Sequence, residues 1–212
     1  MRCSPASVGR SDSHFMSNAH LFELINAAPH PEAWQLNLAL ALAQWLIFLV
    51  PVGMALAWIR GDRVARLNLL DMLLATLLAL GVAQVIVHVW PQPRPSMLHL
   101  GTQLMPHAGD PGLPSDHVTV FWSLALSALV TERFAVWGYP LLAAGLAVGW
   151  SRVFLGVHFP YDVLAALPVA GAGVLLARAL RPATIPLASR LLALQDHALA
   201  AIRIRLTTNR RA

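Results

Sequence analysis

Five long apolar stretches, separated by short polar loops, dominate this sequence and leave a chain of its kind few ways to fold. They cover about residues 36–59, 67–90, 114–130, 134–154 and 161–180. Each comes near the ~20 apolar residues that one helical crossing of a bilayer needs. Backbone groups in lipid find no water, so a spanning segment must pair them internally, as a helix or a closed barrel. The short alternating segments of a barrel do not occur. Hydrophobic residues make up 57% of the 212 and charged residues 12%, about half the share in a soluble domain. The chain therefore reads as an all-α, polytopic membrane helix bundle with about five transmembrane helices. Trp34 and Trp58 flank the first stretch as interfacial anchors, and Pro51 within it predicts a kink. Pro91, Pro93 and Pro95 stop the second, and Pro160 opens the fifth.

Arginine supplies all 15 basic residues. Alternating crossings put Arg60, Arg63, Arg66, Arg133, Arg178 and six arginines beyond residue 180 on one side. Only Arg2, Arg10, Arg94 and Arg152 fall on the other. Cytoplasmic loops are the basic ones, so the first group faces the cytoplasm. The net charge of +5 follows from arginines flanking apolar runs and does not imply a nucleic-acid partner. Cys3 is the single cysteine, which excludes an intrachain disulfide, and no zinc-type Cys/His spacing occurs.

The chain divides into an N-terminal segment (1–34) with a short surface helix, a transmembrane domain (35–180) and a basic amphipathic cytoplasmic tail (181–212). Residues 1–13 are polar and unlike a cleaved signal peptide, and Met16 is a second candidate start.

The chemistry lies in the polar residues that interrupt the apolar pattern. Ser151-Arg152, His158 and Asp162 fall within twelve residues. An imidazole with a carboxylate partner acts as base or nucleophile, and a neighbouring guanidinium offers a fork of donors suited to phosphate oxygens. Upstream, Arg94 lies within the proline-rich stop. Ser115 is a strong N-cap candidate, with Asp116 and His117 at the positive end of a helix dipole. Gln84 and His88, spaced i,i+4, share a helix face near that end. The alternating topology carries all of these to the extracytoplasmic face. Each has a plainer reading alone: a capping serine, an interfacial arginine, a helix-start histidine. Asp71 reads as a carboxylate snorkelling toward the basic loop.

Arg94-Pro95, Pro114-Ser115-Asp116-His117 and Ser151-Arg152-x5-His158-x3-Asp162 resemble the three signature motifs of the type 2 phosphatidic acid phosphatase superfamily. The third matches at every defined position. The second carries Asp116 where glycine is usual, and the first has Val87 where a lysine is usual. Pro-Arg-Pro, then Pro106-His107-x2-Asp110, then Pro-Ser-Asp-His are similar to the bacitracin-resistance branch of undecaprenyl-diphosphatases.

The resemblance implies that His158 attacks phosphorus to give a phosphohistidine, that Asp162 holds its tautomer and that His117 protonates the leaving oxygen. Arg94, Arg152 and the helix start at Ser115 would bind phosphate. Gln84 and His88, by their shared helix face, either reach the site edge or pair with a neighbouring helix, and His107 is a further edge candidate. No metal or other cofactor is implied. The substrate would be a polyprenyl diphosphate lipid, undecaprenyl diphosphate, hydrolysed at the outer face of the bacterial inner membrane. The rival readings are another lipid phosphate, phosphotransfer to a lipid acceptor, and a transporter or scaffold that keeps the fold.

Overall fold

The computed structural model of this chain describes the backbone of residues 9–107 and 109–209, and side chains from 16 to 196 apart from residue 108. Among the described residues every regular element is helical. Helix α1 (Gly9–Ile25) precedes α2 (Ala33–Leu40), which runs through a π-helical turn (Ala41–Trp45) and a 3₁₀ turn (Leu46–Phe48) into α3 (Leu49–Arg60). Pro51 accounts for the irregularity, because its ring clashes with the carbonyl four residues back and it donates no hydrogen bond there. The irregular turns, Ala41–Trp45 and Leu46–Phe48, both precede the proline.

Helix α4 (Arg63–Val89) starts at Asp62, whose carboxylate accepts the Ala65 N–H at 2.8 Å, and ends at the proline run. A 3₁₀ turn (Pro95–Leu98) and an irregular loop lead to α5 (Asp116–Leu129), α6 (Ala135–Phe154) and α7 (Pro160–Asn209). Helix α5 is the hub, packed against α4, α6 and α7. Val118, Phe121 and Trp122 from α5 meet Val148 of α6, Val163 of α7 and Phe22 of α1 in the main core.

Among the described residues three helical segments are long and apolar enough to cross a membrane: Ala33–Arg60, Arg63–Val89 and Pro160–Asp196. Helix α5 has 14 residues, roughly 21 Å at 1.5 Å per residue, against a hydrocarbon core of ~30 Å. It can be short because most of its residues are buried among its neighbours, so they meet protein and not lipid.

The helix that carries the fifth apolar stretch does not end at residue 180. Helix α7 continues to Asn209 with Pro168, Pro182 and Pro186 inside it. Its distal half is tied to α4, since Arg63 Nη2 donates to the Ser189 carbonyl at 2.7 Å and Arg66 lies 3.8 Å from Asp196. Asp71 pairs across the same interface with Arg181 at 3.9 Å. The tail's side chains beyond 196 lie outside the described residues, as does the segment before Gly9. The antiparallel packing gathers the C-terminal ends of α4 and α6 and the N-terminal ends of α5 and α7 at one end of the bundle, opposite these arginines.

Candidate active site

The site is built from local rules first. Helix α6 stops at Gly156, whose φ of +78° is the left-handed conformation that glycine adopts without a Cβ penalty. The Gly156 N–H returns to Val153 O at 3.0 Å and the Val157 N–H to Arg152 O at 2.9 Å, the paired bonds of a Schellman stop. This reversal folds His158 back beside Arg152. Two residues later Pro160 starts α7, and Asp162 reaches back one turn to accept the Phe159 N–H at 2.9 Å, one half of a capping box. The same oxygen, Oδ2, lies 3.3 Å from His158 Nδ1. Asp162 is therefore both a helix cap and the histidine's partner. Its acceptor role puts the ring proton on Nδ1 and leaves Nε2 with its lone pair.

That nitrogen faces Arg94, whose Nη1 stands 2.9 Å from it. Arg94, Arg152, His158 and Asp162 are all 5% exposed or less. Charged groups in such positions are retained only when paired or hydrogen-bonded. A cavity of about 220 Å³ opens among them, lined by Gln84, Val87, Arg94, His107, Asp110, Asp116, His117, Arg152 and His158, with Pro111 and Pro114. Two guanidinium groups and a helix N-terminus favour an anion in this pocket, whereas Asp110 and Asp116 bring carboxylates to the same lining. A larger cavity of about 430 Å³ lies near Arg60, Phe134 and Trp137. It is almost wholly apolar and holds no pair of groups able to exchange protons.

Burial, and then the charges of Arg94 and Arg152, hold His158 well below the ordinary imidazole range, so it is neutral at pH 7. Burial raises the Asp110 carboxyl, but Arg94, a backbone hydrogen bond and His107 together outweigh that and keep it below its usual value.

Residues 68–185 match the family model described as the PAP2 superfamily, more than half of the chain. The chain belongs to the PAP2 superfamily. It is 36% identical over 151 residues to YbjG of Escherichia coli (strain K12), covering 71% of this chain and 75% of that protein. It is 31% identical over 153 residues to the undecaprenyl-diphosphatase BcrC of Bacillus subtilis (strain 168), covering 72% and 78% respectively. Its fold is similar to the crystal structure of a transmembrane PAP2-type phosphatidylglycerolphosphate phosphatase from Bacillus subtilis. There the TM-score is 0.59 and the identity 18%, over 82% of this chain and 88% of the other.

In this PAP2 chain the three motifs converge, but not every residue stands where the sequence put it. Arg94, His117, Arg152 and His158 line the cavity, with Asp162 behind His158. His107 and Gln84 also line it. His88 is a correction: it is exposed and absent from the lining, and Val87 takes that place. Four residues advance a helix about 40° beyond a full turn, which carries His88 away from the edge that Gln84 and Val87 share.

Ser115 is a second correction. It sits at the N-cap position, yet its hydroxyl caps nothing, is fully buried without a partner and does not line the cavity. Its N–H is taken by the Asp162 carbonyl at 3.0 Å, which ties the start of α5 to the start of α7. Asp116, which stands where the superfamily usually has glycine, lines the cavity.

Two supporting residues were missed. Gly112 lets the loop pass close to the pair behind the cavity, where a Cβ would lie 2.9 Å from Asp162 Oδ2 and 3.1 Å from Arg94 Cγ. Asn26, just past α1, accepts the Thr102 N–H at 2.6 Å and donates to Thr102 O at 2.9 Å and Phe154 O at 3.1 Å. It therefore clasps the loop after the 3₁₀ turn to the end of α6. Asn26→Ala should lower stability by roughly 2–3 kcal/mol, the cost of leaving these half-buried groups unpaired. Thermal unfolding in detergent measures this, and a midpoint equal to wild type would remove the clasp from the account.

Proposed function

We propose that this chain is a membrane lipid phosphatase that converts undecaprenyl diphosphate to undecaprenyl phosphate through a phosphohistidine on His158. The observation carrying the reading is a buried, neutral imidazole with a carboxylate on one nitrogen and a guanidinium on the other, at the wall of a polar cavity that Arg94 and Arg152 line. The similarity to BcrC, a protein named as an undecaprenyl-diphosphatase, supports the substrate.

In this mechanism His158 Nε2 attacks the terminal phosphorus, forming a P–N bond as the bond to the bridging oxygen breaks. Phosphoryl transfer needs charge stabilised on the equatorial oxygens. Arg152 and Arg94 supply that stabilisation, with Arg94 Nη1 already within reach of any oxygen on a phosphorus at Nε2. His117, at the start of α5, gives its proton to the leaving lipid monophosphate. Water then attacks the phosphohistidine and returns a proton to His117, and orthophosphate leaves. The segments 36–59, 67–90, 114–130, 134–154 and 161–180 are read as five crossings. The arginine-rich end then faces the cytoplasm, and the site faces outward from the bacterial inner membrane. The products are a recycled carrier lipid and, as a consequence, resistance to bacitracin.

The test is phosphate release by purified protein in detergent with EDTA present. Undecaprenyl diphosphate, phosphatidic acid and phosphatidylglycerol phosphate are compared, with a labelled-lipid acceptor assay alongside. Preferred release from the diphosphate is the expected result. Release only from a monoester lipid moves the substrate, transfer to an acceptor lipid moves the reaction class, and no release ends the reading.

The pH dependence has a defined sign. The nucleophile must be neutral, and its folded pKa is depressed, so kcat/KM should not fall through pH 6.5 from protonation of His158. Native stability behaves otherwise. The unfolded imidazole binds a proton below about pH 6.5 and the buried one does not, so stability is full above that pH and declines below it. Unfolding midpoints from pH 5 to 8 check this, and a midpoint that rises on acidification contradicts it.

A further inference from the structure

The donors of the two cavity arginines are used unequally. Arg94 Nε donates to Asp110 O at 2.9 Å, and Nη2 donates to Asp110 Oδ2 and Pro111 O, both at 3.2 Å. Its Nη1 donates to Val157 O at 3.2 Å besides facing His158. Arg152 is different: its Nη2 lies 3.1 Å from His107 Nε2, and its buried Nε has no partner.

Guanidinium groups only donate, so His107 Nε2 must accept. The His107 proton is then on Nδ1, which lies 3.3 Å from Asp110 Oδ1. Each polarity sets the next, and one bonded chain, Arg94–Asp110–His107–Arg152, crosses the cavity. The Asp110 side chain is 54% exposed and that of His107 22%, so core packing does not explain their placement. The loop beneath is held by the Gly112 N–H, which donates to Gln92 O at 2.8 Å.

We propose that His107 and Asp110 are positioning residues for this reaction: their bonded chain holds the Arg94 and Arg152 guanidinium groups apart across the cavity and leaves the unused donors of Arg152 for phosphate. The proposal rests on the phosphatase reading above for its lipid substrate, though not for the anion it positions. A guanidinium on a long flexible stem loses rotamer freedom when it grips a ligand, and a clamp set beforehand has already met that cost. Neither residue needs to touch the transferred phosphoryl group.

The experiment uses two readouts on the full chain in detergent: calorimetric binding of inorganic phosphate, and kcat and KM on undecaprenyl diphosphate. Melting curves of each protein accompany both. Asp110→Ala and His107→Ala should weaken phosphate binding about tenfold, the equivalent of one charge-assisted hydrogen bond. Displaced arginines should cost kcat/KM on the order of 100-fold. His107→Gln, whose amide oxygen replaces Nε2 as acceptor, should recover most of both losses. The double Ala variant should be little worse than either single one, because the two share one chain.

Wild-type phosphate affinity in Asp110→Ala, or failure of His107→Gln to recover, overturns the proposal. So does an activity loss that only follows a lowered melting temperature. Wild-type protein whose phosphate binding weakens in His107→Ala but which hydrolyses no lipid leaves this proposal standing and removes the phosphatase reading. Wild-type protein that binds no phosphate overturns the positioning role itself.

Discussion

His158→Asn should abolish phosphate release, with a loss on the order of 10⁴-fold or more, as when a unit of mutually dependent catalytic groups loses its nucleophile. Asparagine fits the space of the imidazole better than alanine does and can still donate toward Asp162, which lies 3.3 Å from Nδ1. It offers no nitrogen lone pair to phosphorus, so the defect is chemical. Mixing labelled diphosphate with enzyme and quenching in base should trap an acid-labile phosphoenzyme in wild type and none in the variant. Trapped label in the variant, or activity within tenfold of wild type, would mean that another residue attacks. An unchanged melting curve excludes unfolding as the cause.

Arg152→Lys should lower kcat/KM on the order of 100- to 1000-fold, the usual cost of removing one preorganised donor from a charge-stabilising site. The charge survives this substitution, whereas the planar fork does not. Arg152 is 3% exposed and has a buried Nε without a partner, so geometry and not charge alone should decide the outcome. A lysine at 152 also withdraws the donor now 3.1 Å from His107 Nε2. Full activity would show that a point charge suffices there, and steady-state kinetics on one lipid substrate decides it. Of the two arginines, Arg152 should be the more sensitive to loss of the fork in phosphate affinity, since Arg94 already spends its donors on the protein.

Much of the site was legible because its rules are local. The end of the fourth stretch at about residue 154, the start of α7 at Pro160, and the i,i+4 spacing of His158 and Asp162 depend on backbone geometry over a few residues. Arg94 within the proline run and His117 at a helix start are placed by the same kind of rule. His88 failed because a spacing names a helix face only to within some tens of degrees. Ser115 failed because a capping residue type does not guarantee a cap when its N–H and its neighbours are claimed by another helix.

The apolar pattern and the few charges by themselves determined an all-helical membrane bundle, since lipid leaves a backbone no other partner for its polar groups. The motif residues likewise named a phosphate chemistry before any packing was known. Only the tertiary structure decided that a 14-residue helix is the hub, that α7 continues past residue 180, and that Asn26 clasps two elements more than seventy residues away. It also decided how Asp110 and His107 join the two arginines. These contacts depend on which surfaces meet when the helices close on one another, and no spacing along the chain encodes that.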